Sequence, residues 1–280
     1  MELPALAHFI DQHQRLLIIT GAGCSTSSGI PDYRDQNGQW KRPPPMDFDT
    51  FMHSRIARQR YWARSFVGWE HFHQATPNGC HTALATLEAH GKVHCLITQN
   101  VDGLHQAAGS QHVIDLHGRL DRVRCMGCEQ RYPRHSLQAA LKRHNPSWAH
   151  INATIAPDGD ADLDGVDFAR FFVPDCPACR GILKPDVVYF GEPVPRMRVE
   201  QGMAAVQQCD AVLVVGSSLM VFSGYRFVRA AAELNRPIAA INMGHTRADA
   251  LLSLKVEQPC DNALNNLLRQ LNYSVSTPSR

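Results

Sequence analysis

The stretch LLIITGAGCSTSSGIPDYRD, Leu16 to Asp35, decides the fold. The run Leu16 to Thr20 predicts a short strand that is buried on both faces, as in a parallel sheet covered by helices. A glycine-rich turn follows at once, and glycine at such a strand end lets the backbone approach a phosphate group. The turn lacks the G-x-G-x-x-G spacing of common dinucleotide sites and continues into the polar segment Pro31 to Arg34. The stretch therefore predicts a phosphate-binding strand end with a polar extension.

The rest of the chain repeats this strand pattern between helices. Similar apolar runs that end in polar residues are Val93 to Thr98, Ala211 to Val215 and Pro237 to Ile241. Helical patterns cover residues 79–90, 196–208, 224–234 and 261–271. The alternation predicts an α/β fold with a Rossmann-like, doubly wound parallel sheet. We expect Thr76 to cap the first of these helices, with Pro77 at its first position.

Two segments interrupt the alternation and predict separate domains. Residues 120–185 contain two cysteine pairs and the acidic run Ala156 to Asp167, which indicates a zinc-ribbon small domain. Residues 41–89 begin with a run rich in Arg, Trp and Phe and predict a helical insertion. The remaining segments 1–40, 90–119 and 186–280 would form the Rossmann-like domain.

Composition limits the classes of partner. The 280 residues have 28 Lys plus Arg against 26 Asp plus Glu, a net charge of +2, so we expect neither a nucleic-acid nor a membrane partner. No apolar run approaches the roughly 20 residues that cross a bilayer. The first residues lack a basic flank and an apolar signal core, so we expect a cytoplasmic protein whose nine cysteines are thiols or metal ligands.

The two cysteine pairs have metal-ligand spacing. Two C-x-x-C knuckles can complete a tetrahedral four-thiolate site, which favours one structural zinc ion. The predicted ligands are Cys125, Cys128, Cys176 and Cys179. A redox pair or buried thiols are the alternatives. Zinc ribbons also bind nucleic acid, but the small net charge disfavours that use.

Polar residues follow each of the other predicted strands. Gln99, Asn100 and Asp102 follow the second, the Gly216 to Ser218 segment follows the third, and Asn242 follows the fourth. Ligands of open α/β sheets bind beyond the carboxyl ends of the strands, so we expect these groups in one crevice. An ordinary Asx turn is the alternative for Asn100 and Asp102. His117, just before the first knuckle, is a candidate general base or an ordinary surface or core histidine.

Taken together, these residues resemble the sirtuins, a family of NAD-dependent protein lysine deacylases. The matching elements stand in the family's order across nearly the whole chain: Gly21-Ala22-Gly23 with Ser25, Gly29 to Arg34, Pro77-Asn78 with His81, Thr98 to His105, His117-Gly118, the four cysteines, Phe190 to Glu192, Gly216 to Leu219, and Asn242. The segments RQRYWARSFVGW, APDGD, LKPDVVYFG and GSSLMVFSGYRF are similar to the class II branch, which contains a mitochondrial animal enzyme and bacterial relatives.

The resemblance implies NAD as the co-substrate and assigns residues to it. The implied NAD contacts are Gly21, Ala22, Gly23, Ser25, Ile30, Asp32, Tyr33, Arg34, Gln99, Asn100, Asp102, Gly216, Ser217, Ser218, Asn242 and Cys260. Asn100 and Asp102 would orient the nicotinamide amide, and His117 would be the catalytic base. Most relatives have phenylalanine where Tyr33 stands, so the aromatic face is kept and a hydroxyl is added.

The same resemblance implies the reaction and its substrates. The acyl group of a modified lysine passes to ADP-ribose, which releases nicotinamide and O-acyl-ADP-ribose. Acylated-lysine proteins or peptides would bind as an added β-strand, with backbone bonds and little side-chain selectivity. The implied substrate edges are Val188, Phe190, Gly191 and Glu192 on one side, and Leu219 and Val221 on the other.

The sequence allows more than one interpretation of the preferred acyl group and of the class of reaction. Tyr61 and Arg64 have the spacing with which a neighbouring branch of the family holds an acidic acyl tail; the alternative is a core aromatic and a surface charge. The APDGD run either reaches the acyl channel or is a solvated turn. Mono-ADP-ribosyl transfer and a lipoamidase-type deacylase are alternative reactions of the same site. An NAD-sensing binding module is a further alternative, which His117, Asn100 and Asp102 argue against.

Overall fold

The computed structural model describes residues 2–41, 45–151, 160–161, 163 and 165–274. Its helices are α1 (Glu2–Gln12), α2 (Phe48–His53), α3 (Arg55–His73), α4 (Gly79–Ala89), α5 (Leu104–Ala107), α6 (Arg134–His144), α7 (Arg196–Gln208), α8 (Phe222–Glu233) and α9 (Cys260–Gln270). Its strands are β1 (Leu16–Thr20), β2 (Val93–Thr98), β3 (Val113–Asp115), β4 (Gly118–Cys125), β5 (Arg131–Pro133), β6 (Leu183–Val187), β7 (Ala211–Val215), β8 (Ile238–Ile241) and β9 (Leu254–Val256).

These elements belong to two compact units. Met1–Arg42, Thr76–Leu116 and Val194–Arg280 form the first unit, and Pro43–Ala75 and His117–Pro193 form the second. The segment 41–89 is divided between them, because α2 and α3 lie in the second unit and α4 lies in the first.

The first unit is built on a parallel sheet with the strand order β3-β2-β1-β7-β8-β9. Every residue of β1 and β7 is buried, as the apolar runs predict for strands covered on both faces. Leu84 of α4 and Leu264 of α9 pack on one face, and Val206 of α7 and Phe227 of α8 pack on the other. The predicted doubly wound α/β fold is confirmed.

The sequence located the central strands better than the edges. The bounds of β1, β2 and β7 match the prediction, and β8 begins one residue later than predicted. The edge strands β3 and β9 were not predicted, because each has only three residues and no continuous buried run. The predicted cap of α4 was wrong: the cap is Asn78, whose side-chain oxygen accepts the Cys80 amide at 2.8 Å. Thr76 stands two residues too early to reach that amide.

The second unit combines the antiparallel sheet β5-β4-β6 with α2, α3 and α6. Trp62 of α3 is buried and donates its indole hydrogen to the Leu183 carbonyl at 3.2 Å, which fixes the helix on β6. The guanidinium of Arg134 on α6 is also buried and lies 5.4 Å from the Trp62 ring and 4.7 Å from the Trp69 ring. Cation–π attraction therefore accompanies the apolar contacts of this core.

Gly118 occupies the tightest backbone position of the second unit. Its φ is +86°, and a Cβ there would lie 2.0 Å from the Asp186 carbonyl oxygen across the β4–β6 pair. A side chain at Gly118 therefore meets both an unfavourable dihedral and a backbone collision. Only glycine fits at this first position of β4, directly after His117.

We expect Gly118→Ala to lower the free energy of unfolding by more than the ~1–2 kcal/mol that the left-handed conformation alone costs a non-glycine residue. Gly191→Ala is the matched control, because Gly191 has a φ of +79° and a Cβ there would meet nothing within 4 Å. Urea unfolding of both variants measures the difference. Equal losses would show that the Asp186 contact relaxes without cost.

Candidate active site

The strand order of the first unit reverses beside β1, and the reversal places a crevice there. The chain runs from β1 outward through β2 to β3, then returns to β7 on the other side of β1. The connections after β1 and β7 therefore separate at the carboxyl ends of these strands, where ligands of open α/β sheets bind. Residues that follow β1, β2, β7 and β8 lie at this edge.

The glycines after β1 contact the glycine after β7. A Cβ on Gly23 would lie 2.9 Å from the Gly216 Cα, and one on Gly216, whose φ is +60°, would lie 2.5 Å from the Cys24 nitrogen. The Gly23 amide donates to the Gly216 carbonyl at 2.9 Å. A Cβ on Gly21 would likewise lie 2.8 Å from the Ser217 Cβ. The glycine-rich turn thus lets two loops touch through their backbones, a use that sequence reasoning missed.

Ser25 connects the predicted nicotinamide residues. Its buried hydroxyl donates to the Asp102 carboxylate at 2.7 Å and accepts from the Asn100 amide nitrogen at 3.0 Å. Asn100 also donates to the Gly21 carbonyl at 3.1 Å, and the other Asp102 oxygen accepts the Leu104 amide at 2.9 Å. The structure therefore brings together Ser25, Asn100 and Asp102 in fixed orientations.

His81 supports this cluster from the interior and in the neutral form. The backbone amide of Asn78 points at His81 Nδ1 at 3.2 Å, so Nδ1 accepts and the ring proton sits on Nε2. Nε2 lies 3.4 Å from the Ser25 hydroxyl oxygen, which can accept that proton. Burial lowers the pKa of His81, and the nearby Asp102 charge opposes this only in part. Hydrogen bonds therefore reach Asp102 through His81 and Ser25.

Gln99 bridges the strand ends of β1 and β7. Its amide nitrogen donates to the Thr20 carbonyl at 3.1 Å and to the Ser217 hydroxyl at 2.8 Å. A Cβ on Gly224 in the first turn of α8 would lie 2.5 Å from the Gln99 side-chain oxygen. The absence of a side chain at Gly224 therefore makes room for Gln99.

The polar segment after the glycine turn folds back on itself. The Arg34 guanidinium lies 3.9 Å from the Trp40 ring centroid and donates to the Gly38 carbonyl at 2.7 Å. The Tyr33 ring meets Trp40 edge-on at 6.3 Å. The Gln36 carbonyl accepts the His245 amide at 2.8 Å, which joins this loop to the segment after β8. The sequence identified Tyr33 and Arg34 but missed Trp40.

Cys260, predicted near the adenine, lies in a buried cluster of thiols. Its thiol donates to the Ile241 carbonyl at 3.8 Å, the Cys24 thiol donates to the Val215 carbonyl at 3.2 Å, and both residues share one buried core cluster with Cys80. Burial raises the pKa of Cys24 well above its ordinary value. The nearby Asn242 is also buried and donates to the Met243 carbonyl at 2.9 Å.

In the second unit, a backbone hydrogen bond joins His117 to the predicted substrate edge. The His117 carbonyl accepts the Val188 amide at 2.8 Å, and the Phe190 carbonyl accepts the Phe48 amide at 2.8 Å. The buried Lys184 ammonium, which the sequence reasoning missed, lies 3.0 Å from the Glu192 carboxylate and also donates to the Val187 carbonyl. Burial lowers the pKa of Lys184, and Glu192 opposes that shift.

Tyr61 and Arg64, the predicted acyl-tail residues, lie on α3. Tyr61 is 4% exposed and its ring centroid lies 5.5 Å from those of both Phe51 and Tyr189. Arg64 Nε donates to the Ala161 carbonyl at 2.8 Å, and the Ala161 amide donates back to the Arg64 carbonyl at 2.9 Å. Residues 156–159 of the APDGD run lie outside the described residues.

The four predicted metal ligands come together in the second unit. The sulfur atoms of Cys125, Cys128, Cys176 and Cys179 all lie within 4.8 Å of one another. The pairs Cys125–Cys179 and Cys128–Cys176 are 3.4 and 3.8 Å apart, close to the edge of about 3.8 Å that a tetrahedron with Zn–S bonds of ~2.3 Å requires. Four thiolates fill the coordination sphere of zinc and leave no position for a substrate or water. The site therefore fits a structural ion.

Among the helices of the described residues, none combines the length and the apolar character that crossing a bilayer requires.

The fold and the two sites define a Rossmann-like dinucleotide-binding protein with a four-cysteine zinc site. The Sir2 family model matches residues 21–223. That match extends from the glycine turn to the first turn of α8 and includes the four cysteines. The chain belongs to the Sir2 family.

Relatives and solved structures agree over almost the full length. A protein of Xanthomonas campestris pv. campestris named "NAD-dependent protein deacetylase" is 66% identical over 261 residues, which cover 93% of this chain and 89% of the relative. One of Bordetella bronchiseptica with the same name is 63% identical over 263 residues, 94% of this chain and 96% of the relative. A solved "Sir2-p53 peptide-NAD+" complex superposes with a TM-score of 0.78 at 25% identity and covers 97% of this chain and 99% of its own.

One buried group near this site makes stability depend on pH. His105 is 1% exposed, its Nε2 lies 2.9 Å from the Thr20 hydroxyl, and its Nδ1 has no hydrogen-bond partner among the described residues. Burial therefore holds the pKa of His105 well below its ordinary value, and the adjacent His81 ring adds to the shift. Below about pH 6.5 the unfolded chain binds a proton at His105 that the folded chain does not.

We expect the free energy of unfolding to fall as the pH drops from 6.5 to 5, with His105 contributing up to about 1.4 kcal/mol per pH unit. His105→Gln, which cannot titrate, should show a shallower slope in urea unfolding across this range. His8→Gln is the control, because His8 is exposed on α1. A slope that is the same in His105→Gln and in the unsubstituted protein would contradict the assignment.

Proposed function

We propose that this protein is an NAD-dependent protein lysine deacylase that transfers the acyl group to ADP-ribose and releases nicotinamide. The observation that carries the proposal is the Ser25–Asn100–Asp102 cluster at the sheet's switch point, in a chain closely similar to proteins named NAD-dependent protein deacetylases. Such a cluster presents fixed polar groups, which suits a reaction in which positive charge develops on a sugar. NAD, when bound, supplies the ribose carbon and the nicotinamide leaving group.

The residues of the first unit would hold the co-substrate through backbone and amide groups. Gly21, Gly23 and Gly216 would let phosphate oxygens approach the backbone of the two loops, because these positions have no side chains. Asn100 and Asp102 would bind the nicotinamide amide, because Ser25 fixes one oxygen of Asp102 and one hydrogen of Asn100. Gln99 would contact the adjacent ribose from its bonds to Thr20 and Ser217.

His117 would act as the general base. A neutral imidazole can accept a proton from a ribose hydroxyl near neutral pH, and such catalysis contributes roughly 10²–10⁴-fold in rate. The backbone around His117 is fixed by its bond to Val188 and by the glycine that follows. The acylated-lysine segment of the substrate would pair with the edges at Val188 to Glu192 and at Leu219 and Val221.

The proposal also includes the cellular compartment, the branch of the family and the role of the zinc site. The cytoplasmic location stays a proposal, supported by four clustered cysteines that fit metal thiolates and by the use of NAD as co-substrate. Membership of the class II branch stays a prediction from the sequence. The zinc site would keep the β4 and β6 ends of the second unit together, with no direct part in the reaction.

We expect the purified protein to release nicotinamide and O-acetyl-ADP-ribose from NAD and an acetyl-lysine peptide. His117→Ala should lower kcat/KM about 10²-fold or more, because the general base is lost. Mass spectrometry of the nucleotide and of the peptide measures both. His112→Ala is the matched control, since His112 lies on the same segment, is exposed, and pairs with Glu88 at 2.8 Å.

Two results would overturn the proposal. Label from NAD that remains attached to a protein side chain would indicate mono-ADP-ribosyl transfer. Binding of NAD without turnover of any acyl-lysine peptide would indicate an NAD-sensing module.

We also propose that Arg64, with Tyr61, selects acyl groups with a polar or acidic tail. The support is positional: Arg64 Nε is bonded to the Ala161 backbone beside Asp160, which orients the guanidinium, and Tyr61 packs among aromatic rings. A planar guanidinium pairs with a carboxylate through two parallel hydrogen bonds, which is the contact that an acidic acyl tail would require.

Acetyl-, glutaryl- and lipoyl-lysine peptides test this selection. We expect Arg64→Ala to lower kcat/KM for the glutaryl peptide roughly 10-fold relative to the acetyl peptide, the size of a lost charge-assisted hydrogen bond. Arg60→Ala, an exposed arginine one turn earlier on α3, is the control. An unchanged order of the three peptides would remove Arg64 from acyl selection, and preference for lipoyl-lysine would indicate a lipoamidase-type deacylase.

A further inference from the structure

Three arginines surround one exposed aromatic ring at the start of α8. The guanidinium groups of Arg226, Arg229 and Arg247 lie 5.3, 5.4 and 5.7 Å from the centroid of the Phe222 ring. Arg247 also lies 4.6 Å from the ring of Tyr225, which is 6.4 Å from Phe222. We name these five residues the arginine patch. Phe222 is 43% exposed, so the patch is open to a partner.

The positive charge of the patch is only partly balanced. Arg229 Nε lies 3.5 Å from the Glu233 carboxylate, an exposed pair of the kind that contributes little. Arg226 Nε is buried and has no hydrogen-bond partner among the described residues. With Glu233 included, the formal charge is +2, as large as that of the whole chain. Stacking on Phe222 offsets part of the repulsion between the cations, and an anion would offset more.

The patch is continuous with the segment that we propose binds the substrate backbone. The Arg247 amide donates to the Ser218 carbonyl at 2.9 Å, and its guanidinium donates to the Met220 carbonyl at 3.2 Å. Between these carbonyls, Leu219 has a φ of +56°, an uncommon conformation for a non-glycine residue that is found at functional sites. Phe222 follows Val221 directly. A peptide along Leu219 and Val221 would have its neighbouring side chains beside the arginines.

We propose that the arginine patch selects protein substrates with acidic side chains near the acylated lysine; the inference rests on the proposed deacylase function. The planar guanidinium binds a carboxylate through two parallel hydrogen bonds, and the aromatic rings hold it in place. A nucleic acid is a poorer fit, because such partners need several phosphate contacts along an extended basic surface. The three arginines of the patch instead surround a single aromatic ring.

Two sets of acetyl-lysine peptides test the proposal, with Glu, Gln or Lys at two positions before the lysine in one set and after it in the other. We expect the unsubstituted protein to favour Glu over Gln by about 5-fold in kcat/KM on one side, as two exposed ion pairs allow. The ratio should approach 1 in the double variant Arg226→Gln, Arg229→Gln, and should fall as NaCl rises from ~50 to ~300 mM. The KM for NAD should stay unchanged.

Arg196→Gln is the matched control. Arg196 is an exposed arginine on α7 whose Nε lies 2.6 Å from the carboxylate of Glu200, four residues later. Arg229 has the same spacing to Glu233 on α8. It should retain the Glu preference. Equal rates on Glu and Gln peptides, or a preference that survives the double variant, would overturn the proposal. A raised KM for NAD in the double variant would also overturn it, by assigning the arginines to cofactor phosphate. If no peptide is deacylated, the proposed function itself fails.

Discussion

The first unit depends on the contact between the loops that follow β1 and β7. Gly23 and Gly216 touch through their backbones, and the Gly23 amide bonds the Gly216 carbonyl. A methyl group at either position would separate the loops, because the atoms it meets are backbone atoms that a side-chain rotation cannot move. The closeness of the loops is also what lets Gln99 reach from Thr20 to Ser217. The geometry of the crevice thus depends more on Gly21, Gly23 and Gly216 than on its polar residues.

The second unit depends on charges held inside it. Arg134 is buried against two indole rings, and burial lowers its pKa to about 10, so it remains charged at neutral pH. Lys184 is buried with Glu192 and with backbone carbonyls. Removing one partner of such a pair leaves an uncompensated buried charge, which costs more than the pair contributes. The segment from Val187 to Glu192 is therefore fixed from within the unit.

The features that could be predicted from the sequence are those that depend on residues close together along the chain. β1 and β7 were predictable because burial on both faces gives a continuous apolar run, and the four cysteines were predictable because C-x-x-C spacing is local. β3 and β9 are too short to have a pattern. Gly21 and Gly23 pack against the loop at Gly216, about 190 positions later in the chain. Local sequence spacing could not reveal a contact between such distant residues. Trp40 and Lys184 were missed because a lone Trp or Lys has no distinctive spacing.

The exposure of the cysteines allows the zinc content of the protein to be measured through thiol reactivity. Cys24, Cys80, Cys95, Cys209 and Cys260 are buried in the first unit, and among the nine only Cys128 and Cys179 are exposed. Both exposed thiols are predicted zinc ligands, and a metal-bound thiolate is shielded from alkylating reagents. The number of thiols that react in the folded protein therefore reports the fraction of molecules that have lost zinc, in a sample whose enzymatic activity need never be assayed.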